Sequence, residues 1–312
     1  MSVFFACKKD PKITPNQILV EAPVQSWSFA CEDTTLIWPA FPPEPAFGFN
    51  FADLSSSESV WRVVPDPIDG NVIYYLNSEK DLKAHCLWKY NIKTKQRILL
   101  DKNVMNDVFI NQNGWLVYET MDWNIYKIKG NGDSLTQLTF DGGSKFPRWT
   151  DDGKFIWYVG LDCVHKMDAN GVRVNSLNGV YSWVVQIKHF LYYVKSVNNV
   201  FSITERDTLT NTERNICSGE NAFNWYPNED NTIMYWWNPN HLYKTNISSG
   251  ATTLLFYCQG RFHHFLRSPV SKHFFAIDFN LYPVDSKTIK QTGQLFEFSE
   301  DLQCRRKILL PN

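Results

Sequence analysis

Phe146-Pro-Arg-Trp149-Thr-Asp-Asp-Gly153-Lys-Phe-Ile-Trp-Tyr158 is the stretch of sequence that indicates the fold most clearly. Two runs rich in aromatic and β-branched residues, which favour strands, lie on either side of Asp152-Gly153. An Asp-Gly pair supplies the positive φ angles that a tight turn between antiparallel strands needs. The segment therefore predicts a β-hairpin.

The same pattern of an aromatic strand, a polar turn and a hydrophobic strand returns about every 40 residues along the chain. Segments 223–236 and 26–38 are two further copies, and the two tryptophans of each are equally far apart. Each first strand contains one large hydrophobic residue, which we take as its anchor: Trp27, Trp61, Val108, Trp149, Trp183, Trp225 and Phe265. Seven anchors predict seven units.

Two more short hydrophobic strands follow most of these hairpins, as in Leu87-Trp-Lys-Tyr90 and Gln96-Arg-Ile-Leu-Leu100. Four short antiparallel strands in each repeat of this length are typical of a β-propeller, whose sheets stack radially around a channel. Residues 13–312 are therefore predicted to form one all-β domain, a β-propeller of four-stranded antiparallel blades, with seven blades favoured. Six blades is the alternative, in which residues 13–56 form an irregular N-terminal layer. Asn16–Val20 is then a candidate strand for closing the ring.

The composition is that of a folded domain without electrostatic targeting. Among the 312 residues, 44% are hydrophobic, 15% are aromatic and 20% are charged, which is not a disordered composition. The formal net charge of -1 gives no long-range field that would attract nucleic acid or an anionic membrane surface. We therefore expect no nucleic-acid partner. In addition, no run reaches the 18 or so apolar residues of a membrane-spanning helix.

The Phe146 to Tyr158 segment, preceded by Gln137-Leu-Thr-Phe140 and Gly142-Gly143, resembles the repeat of TolB-type, WD40-like β-propellers. In that family a Leu-Thr pair precedes a turn of small residues, an aromatic strand, an Asp-Gly turn and a hydrophobic strand. The resemblance implies the propeller fold. It implies no single activity, because propellers include binding modules and several unrelated enzymes.

A second resemblance lies at the start of the chain. Phe4-Phe5-Ala6-Cys7-Lys8-Lys9-Asp10-Pro11 is similar to the lipidation site of Bacteroidetes-type lipoproteins, in which a small residue precedes the modified cysteine. The resemblance implies a lipid anchor on Cys7, with residues 1–12 as a truncated signal and tether. The expected location is then the bacterial cell envelope, with membrane contact only through Cys7. The alternative, without lipidation, is a cytoplasmic protein.

The residue types that carry metal or nucleophilic chemistry show no recognisable spacing. The seven cysteines are spread nearly one to a unit without a Cys-x-x-Cys pair, so we expect them to pack as small hydrophobic residues. There is no Gly-x-Ser-x-Gly segment of the kind that carries a hydrolase nucleophile. Six cysteines other than Cys7 could also pair as disulfides in an oxidising compartment. The sequence predicts neither a metal nor a cofactor.

The candidate ligand-binding residues lie in the loops of one face. In a propeller, the loops from strand two to strand three and from one blade to the next open on the same side, and tryptophan beside polar groups there can hold a sugar or a peptide. The loop 280–294, the longest insertion between matched strands, is a candidate for a partner-specific element. The predicted binding residues are Asp122, Trp123, Lys145, Arg148, Asp162, Trp237, His241, Arg261, His263 and Asp278.

Three functions remain open at this stage, the third of which is a purely structural assembly module that uses its blade edges. The favoured hypothesis is a non-enzymatic binding or scaffolding propeller, monomeric, that takes a protein, peptide or glycan on its loop-rich face. The alternative is a propeller-fold lyase or hydrolase that acts on saccharide through histidine and aspartate at the channel mouth. That alternative expects groups such as His241, His263, His264 and Asp278 to converge.

Overall fold

The chain is an all-β, propeller-like structure of four-stranded antiparallel sheets. The computed structural model describes residues 50–51, 60–78, 84–178, 180, 182–197, 200–219, 224–228, 230–237, 241–257, 262–283, 288–302 and 304–311. These residues form strands and turns, and none of them lies in a helix. In this part of the chain there is accordingly no helix that could span a membrane. Cys7, Trp27 and the predicted strand Asn16–Val20 lie outside the described residues.

Two of the predicted repeat units are joined into one seven-stranded sheet. Its strands follow in sequence order from β2 to β8, and every neighbouring pair is antiparallel. The fifth strand is shared: its first half pairs with β4 and its second half with β6. Each half thus completes a four-stranded unit. The strands to this point are β1 (Asn50–Phe51), β2 (Val60–Pro65), β3 (Val72–Ser78), β4 (His85–Asn91), β5 (Arg97–Ile110), β6 (Trp115–Thr120), β7 (Ile125–Lys129) and β8 (Thr136–Gln137).

Three separate four-stranded sheets follow, each antiparallel and in sequence order. The first is β9 (Lys145–Trp149), β10 (Phe155–Val159), β11 (Val164–Asp168) and β12 (Arg173–Leu177). The second is β13 (Val185–Ile187), β14 (Phe190–Val197), β15 (Val200–Asp207) and β16 (Thr212–Gly219). The third is β17 (Asn224–Pro227), β18 (Ile233–Trp237), β19 (His241–Asn246) and β20 (Thr252–Tyr257). This repetition confirms the grouping of hydrophobic segments in fours.

The last sheet contains five strands, because a short segment from the beginning of the chain joins it. β1 runs parallel to β23, with Asn50 opposite Thr288. The other neighbours in this sheet are antiparallel. Its strands are β21 (Phe262–Arg267), β22 (Phe274–Pro283), β23 (Thr288–Phe298) and β24 (Arg305–Lys307).

The hairpin predicted at Asp152-Gly153 is present between β9 and β10. Gly153 has a φ of 65°, and its N–H donates to the Thr150 carbonyl at 2.9 Å. The Thr150 hydroxyl donates to Asp152 at 2.6 Å, which fixes the turn from within. A left-handed backbone is accessible to glycine at little cost, so this residue is required by the turn itself.

The hydrophobic core lies between the sheets rather than within them. Six buried clusters occur in the described part of the chain, and each is shared by two units that are neighbours in the ring. One of them joins the first described unit, through Val63, Ile73 and Tyr90, to the last, through Ile277 and Leu295. A fully buried aliphatic or aromatic side chain contributes about 1.5–3 kcal/mol. Each sheet is therefore held in place by its neighbours on both sides.

Candidate functional site

The innermost strands of the units surround a central cavity of about 270 Å³. On β9, Arg148 lines the cavity while the adjacent anchor Trp149 lies in a core cluster, as expected from the alternation of side chains along a strand. Three other anchors, Trp61, Trp183 and Trp225, line the cavity themselves. The cavity is lined by Trp61, Arg62, His85, Asn106, Asp107, Phe109, Phe146, Arg148, Trp183, Val185, Asn224, Trp225, Tyr226, Trp237, His264 and Leu266.

A buried ion network joins three units at this cavity. Asp107 Oδ1 lies 3.0 Å from Arg62 Nη2, and its Oδ2 lies 3.2 Å from Arg148 Nη2. None of the three side chains is more than 10% exposed. Both guanidinium groups also approach the ring of Phe109, with Cζ to centroid distances of 5.0 Å for Arg62 and 3.4 Å for Arg148. The aromatic ring and the carboxylate together fix the two arginines.

The network keeps its charges at neutral pH. Burial acts to raise the pKa of Asp107, but Arg62 and Arg148 outweigh it and hold that pKa below its usual range. Burial lowers the pKa of Arg148 to about 10, against the opposing effect of Asp107. Two guanidinium cations therefore face a single carboxylate in contact with both.

Glu119 is a second acidic residue close to the cavity wall, and both of its carboxylate oxygens already accept hydrogen bonds. Oε2 accepts the Phe146 backbone N–H at 2.9 Å, and Oε1 accepts the Asn106 amide at 3.2 Å. Burial raises the pKa of the Glu119 carboxyl above its ordinary value. Glu119 therefore neutralises the arginines less effectively than Asp107 does.

Three buried N–H donors around the cavity have no acceptor among the described residues. They are Arg62 Nε, Trp225 Nε1 and Trp237 Nε1. Trp225 and Trp237 are each 4% exposed, so bulk water does not satisfy them. A buried polar group without a partner costs about 1–3 kcal/mol. Among the described residues, these three donors at the cavity wall are thus left unsatisfied.

The backbone is strained at two points of the same wall. Phe146 and His264 have φ angles of 52° and 58°. Residues with bulky side chains rarely adopt this left-handed region, and such strain is concentrated at functional sites. His264 Nδ1 lies 2.7 Å from Arg62 Nη1, so the second strained residue also positions an arginine.

The predicted site residues fall into separate places. Arg148 and Trp237 line the cavity, whereas Trp123 and Lys145 form a pair beside it, with Lys145 Nζ 3.9 Å from the Trp123 ring centroid. Asp122 stays next to this pair. Although burial acts in the other direction, hydrogen bonds from Thr120 and from Asn124 Nδ2, the latter at 3.0 Å, lower the Asp122 pKa.

The remaining predicted residues are not brought together at the cavity wall. Asp162 lies in the loop between β10 and β11 and bonds to His165 Nε2 at 2.8 Å. His241 begins β19, half-buried, with its ring 5.5 Å from that of Tyr243. Asp278 is buried on β22, and His263 is on β21. Arg261 lies outside the described residues.

Sequence reasoning missed most of the cavity wall. Arg62, Asp107, Trp225 and His264 were not among the candidate ligand-binding residues, although each is an anchor or lies next to one. Their position on or beside the anchor of an innermost strand is the signal that could have located them. They are buried or half-buried, whereas the predicted candidates were expected in exposed loops.

Comparison with known proteins identifies the fold alone. No protein-family model matches the chain, and no curated protein matches it. Solved structures do match it. The structure of a nidogen/laminin complex aligns with a TM-score of 0.55 at 10% identity, covering 81% of this chain and 92% of that one. An Agrobacterium tumefaciens protein described as a TolB gives 0.55 at 11%, covering 70% and 86%. An oligogalacturonate lyase in complex with manganese gives 0.50 at 13%, covering 75% of each chain.

Proposed function

We propose that this protein is a monomeric, non-enzymatic binding propeller whose central cavity holds the carboxylate of a peptide's carboxyl terminus. The observation that carries the proposal is the excess of buried donors at the cavity. Arg62 Nε, Trp225 Nε1 and Trp237 Nε1 have no acceptor among the described residues, and two arginines share one aspartate. A carboxylate supplies several acceptor sites and a negative charge in one small group.

The aromatic wall favours the end of a peptide over a sugar ring. Trp225 is stacked on Trp183, with ring centroids 6.3 Å apart, so a neighbour already covers one of its faces. Trp237 packs edge-to-face against Tyr226 and Phe265. Both tryptophans are only 4% exposed, so they offer little open ring face on which a sugar could stack.

The size of the cavity sets the size of the bound group. A volume of about 270 Å³ lies just below the usual range of small-ligand pockets, roughly 300–1,000 Å³. It suits a terminal residue that enters end-on. Both carboxylate oxygens of Asp107 are already paired with guanidinium groups, so this residue is poorly placed to act as a general base. This supports binding rather than catalysis.

The test is a pair of short peptides that differ only in a free or an amidated carboxyl terminus. Intrinsic tryptophan fluorescence should report binding, because Trp225 and Trp237 line the cavity. We expect the free acid to bind at least tenfold more tightly, since a hydrogen bond to a charged group contributes about 1.5–3 kcal/mol. Arg148→Gln should abolish the preference. Lys145→Gln, which removes a cation outside the cavity, should preserve it.

Two outcomes would contradict this proposal. Equal affinity for the free and amidated peptides would remove the carboxylate from the interaction. Preferential binding of an acidic oligosaccharide, with loss of the sugar's glycosidic bonds over time, would favour the lyase or hydrolase hypothesis instead.

We also infer that the ring closes with six blades, the alternative to the seven favoured from the anchors. The support is the cluster through which Val63 and Tyr90 of the first described unit meet Ile277 and Leu295 of the last. These two units are therefore neighbours, and the space between them is filled by side chains.

A location in the bacterial cell envelope, with a lipid anchor on Cys7, is a further proposal. Its support within the described residues is Cys304, which is disulfide-bonded. Disulfides persist in oxidising compartments such as the periplasm. Cells that express the gene from its native locus should incorporate a labelled fatty acid into the protein. Cys7→Ser should remove the label and Cys86→Ser should not. Labelling that is unchanged in Cys7→Ser would contradict the anchor.

A further inference from the structure

We propose that Asp162, Cys163 and His165 form a binding site for one zinc ion on the loop between β10 and β11. The three candidate ligand atoms all lie within 4.8 Å of one another. Cys163 and His165 are two residues apart at the start of an extended segment, where side chains so spaced share a face. This cluster is separate from the central cavity, whose lining includes none of the three.

The distances between the ligand atoms are close to those of a tetrahedral zinc site. Cys163 Sγ lies 3.8 Å from His165 Nε2, and Asp162 Oδ1 lies 2.8 Å from the same nitrogen. Zinc bonds of about 2.0 Å to nitrogen or oxygen and about 2.3 Å to sulfur place neighbouring ligands roughly 3.3–3.5 Å apart. Coordination therefore requires Asp162 Oδ1 to exchange its hydrogen bond to Nε2 for the metal. It also requires Cys163 Sγ, which lies 3.7 Å from Nδ1 as well, to turn towards Nε2.

The surroundings of His165 hold its ring in the orientation that coordination needs. Its Nδ1 lies 2.8 Å from Ser176 Oγ, a hydroxyl that can accept from Nδ1–H and so leave Nε2 for the metal. Gly160 leaves room for the ring, because a Cβ there would lie 2.8 Å from Nε2. The Gly160 N–H also donates to the Cys163 carbonyl at 2.8 Å, which closes the loop.

The ligand set and its exposure point to zinc with an open coordination position. A thiolate and an imidazole favour zinc over magnesium or calcium, which prefer oxygen ligands. A thiolate and a carboxylate together balance the charge of a divalent ion. Cys163 and His165 are buried, whereas the Asp162 side chain is 73% exposed. Solvent therefore reaches the site from one side, and water or an external ligand takes the fourth position.

The experiment uses the full chain, stripped with a chelator and titrated with Zn²⁺ in competition with a chromophoric chelator. We expect one equivalent of Zn²⁺ that depends on Cys163. Co²⁺ in its place should give a thiolate-to-metal charge-transfer band. Cys163→Ser should abolish that band, and Asp162→Asn should weaken Zn²⁺ binding at least tenfold. Cys217→Ser serves as the matched control, because it removes a thiol outside the cluster and should change neither result.

The proposal is overturned if Cys163→Ser and Asp162→Asn bind Zn²⁺ as the parent chain does, or if the Co²⁺ band survives in Cys163→Ser. Asp162 is exposed, so Asp162→Asn tests the site even if Cys163→Ser fails to fold. Circular dichroism of each variant checks its fold. Peptide binding at the central cavity should be unchanged in Asp162→Asn, which separates this site from the proposed binding function.

Discussion

Arg148 donates from Nη2 to Oδ2 of Asp107 across 3.2 Å, although the two residues belong to strands of different sheets. Arg148 is on β9, and Asp107 is on the second half of β5. The other oxygen of Asp107 contacts Arg62 on β2. One buried carboxylate thus ties three units together at the channel. The propeller's interior is organised by charge as well as by hydrophobic packing.

Replacing Asp107 with alanine should destabilise the protein strongly. The substitution leaves Arg62 and Arg148 buried close to each other without their shared anion. Removal of one partner from a buried ion pair costs about 3–5 kcal/mol. Urea unfolding of the variant and the parent chain measures the difference in the free energy of unfolding. Asp133→Asn, on an exposed turn, is the control and should change that free energy by less than about 0.5 kcal/mol.

The same variant offers a test of anion binding. If the arginines recognise carboxylates, then acetate should stabilise Asp107→Ala more than it stabilises the parent chain, because a ligand that binds the folded state raises its stability. Thermal melts in acetate and in chloride at equal ionic strength measure this. An equal shift for both proteins would mean that the cavity does not take up the anion.

Stability should fall in mild acid because of His85. Burial lowers the pKa of His85 to about 4, below the value of about 6.5 in an unfolded chain. The folded state therefore binds fewer protons than the unfolded state between these values. The contribution of neutral His85 is complete above pH 6.5 and is lost as the pH falls towards 4.

His85→Gln should flatten this part of the pH profile. Gln does not titrate, so the variant should lose less stability than the parent chain between pH 6.5 and 4, by about 3 kcal/mol at the lower end. Urea unfolding at several pH values gives both profiles. His189→Gln, which removes a half-buried histidine outside the cavity, serves as the comparison. Parallel profiles for His85→Gln and the parent chain would show that another group controls the acid response.

The fold was predictable because each repeat carries its own hydrophobic strands and turn residues. Asp152-Gly153 specifies its hairpin locally, and the anchors mark the innermost strands. The long strand Arg97–Ile110 was not foreseen. Its middle, Asp101-Lys102-Asn103, is polar and indicates a turn, yet pairing on both sides keeps it extended. The segment 280–294 was expected to be a loop, but most of it extends a β-hairpin in which Asn280 pairs with Thr292.

The site was predictable only in part, because its residues are defined by what lies across the channel. Arg148 and Trp237 were proposed from their loops, and both line the cavity. Nothing in the local sequence of Asp107 shows that two arginines from other units meet it. A contact between residues far apart in sequence depends on how the ring closes, and neither hydrophobic periodicity nor turn chemistry contains that information.

Two glycines with similar backbone angles should respond differently to alanine. Gly171 has a φ of 87°, and a Cβ there would lie 2.6 Å from the Leu138 carbonyl oxygen. Gly114 has a φ of 75° with nothing within 4 Å. Gly114→Ala should therefore lower the free energy of unfolding only by the cost of placing alanine in a left-handed backbone conformation, about 1 kcal/mol. Gly171→Ala adds a clash with the backbone of the neighbouring unit and should cost more. Chemical denaturation measures the free energy of unfolding of both variants. Equal losses would show that the Leu138 backbone shifts to accommodate the added Cβ at little cost.

Closure of the ring can be tested with one conservative substitution at two interfaces. Ile277 is fully buried between the last and first described units, and Ile203 is fully buried between two consecutive units in the middle of the chain. Ile→Val in a packed core costs about 0.5–1.5 kcal/mol. If the last and first units pack as firmly as consecutive ones, Ile277→Val and Ile203→Val should lower the free energy of unfolding by similar amounts. A negligible loss for Ile277→Val beside a full loss for Ile203→Val would mean that this interface is loosely packed, and that the ring closes in some other way.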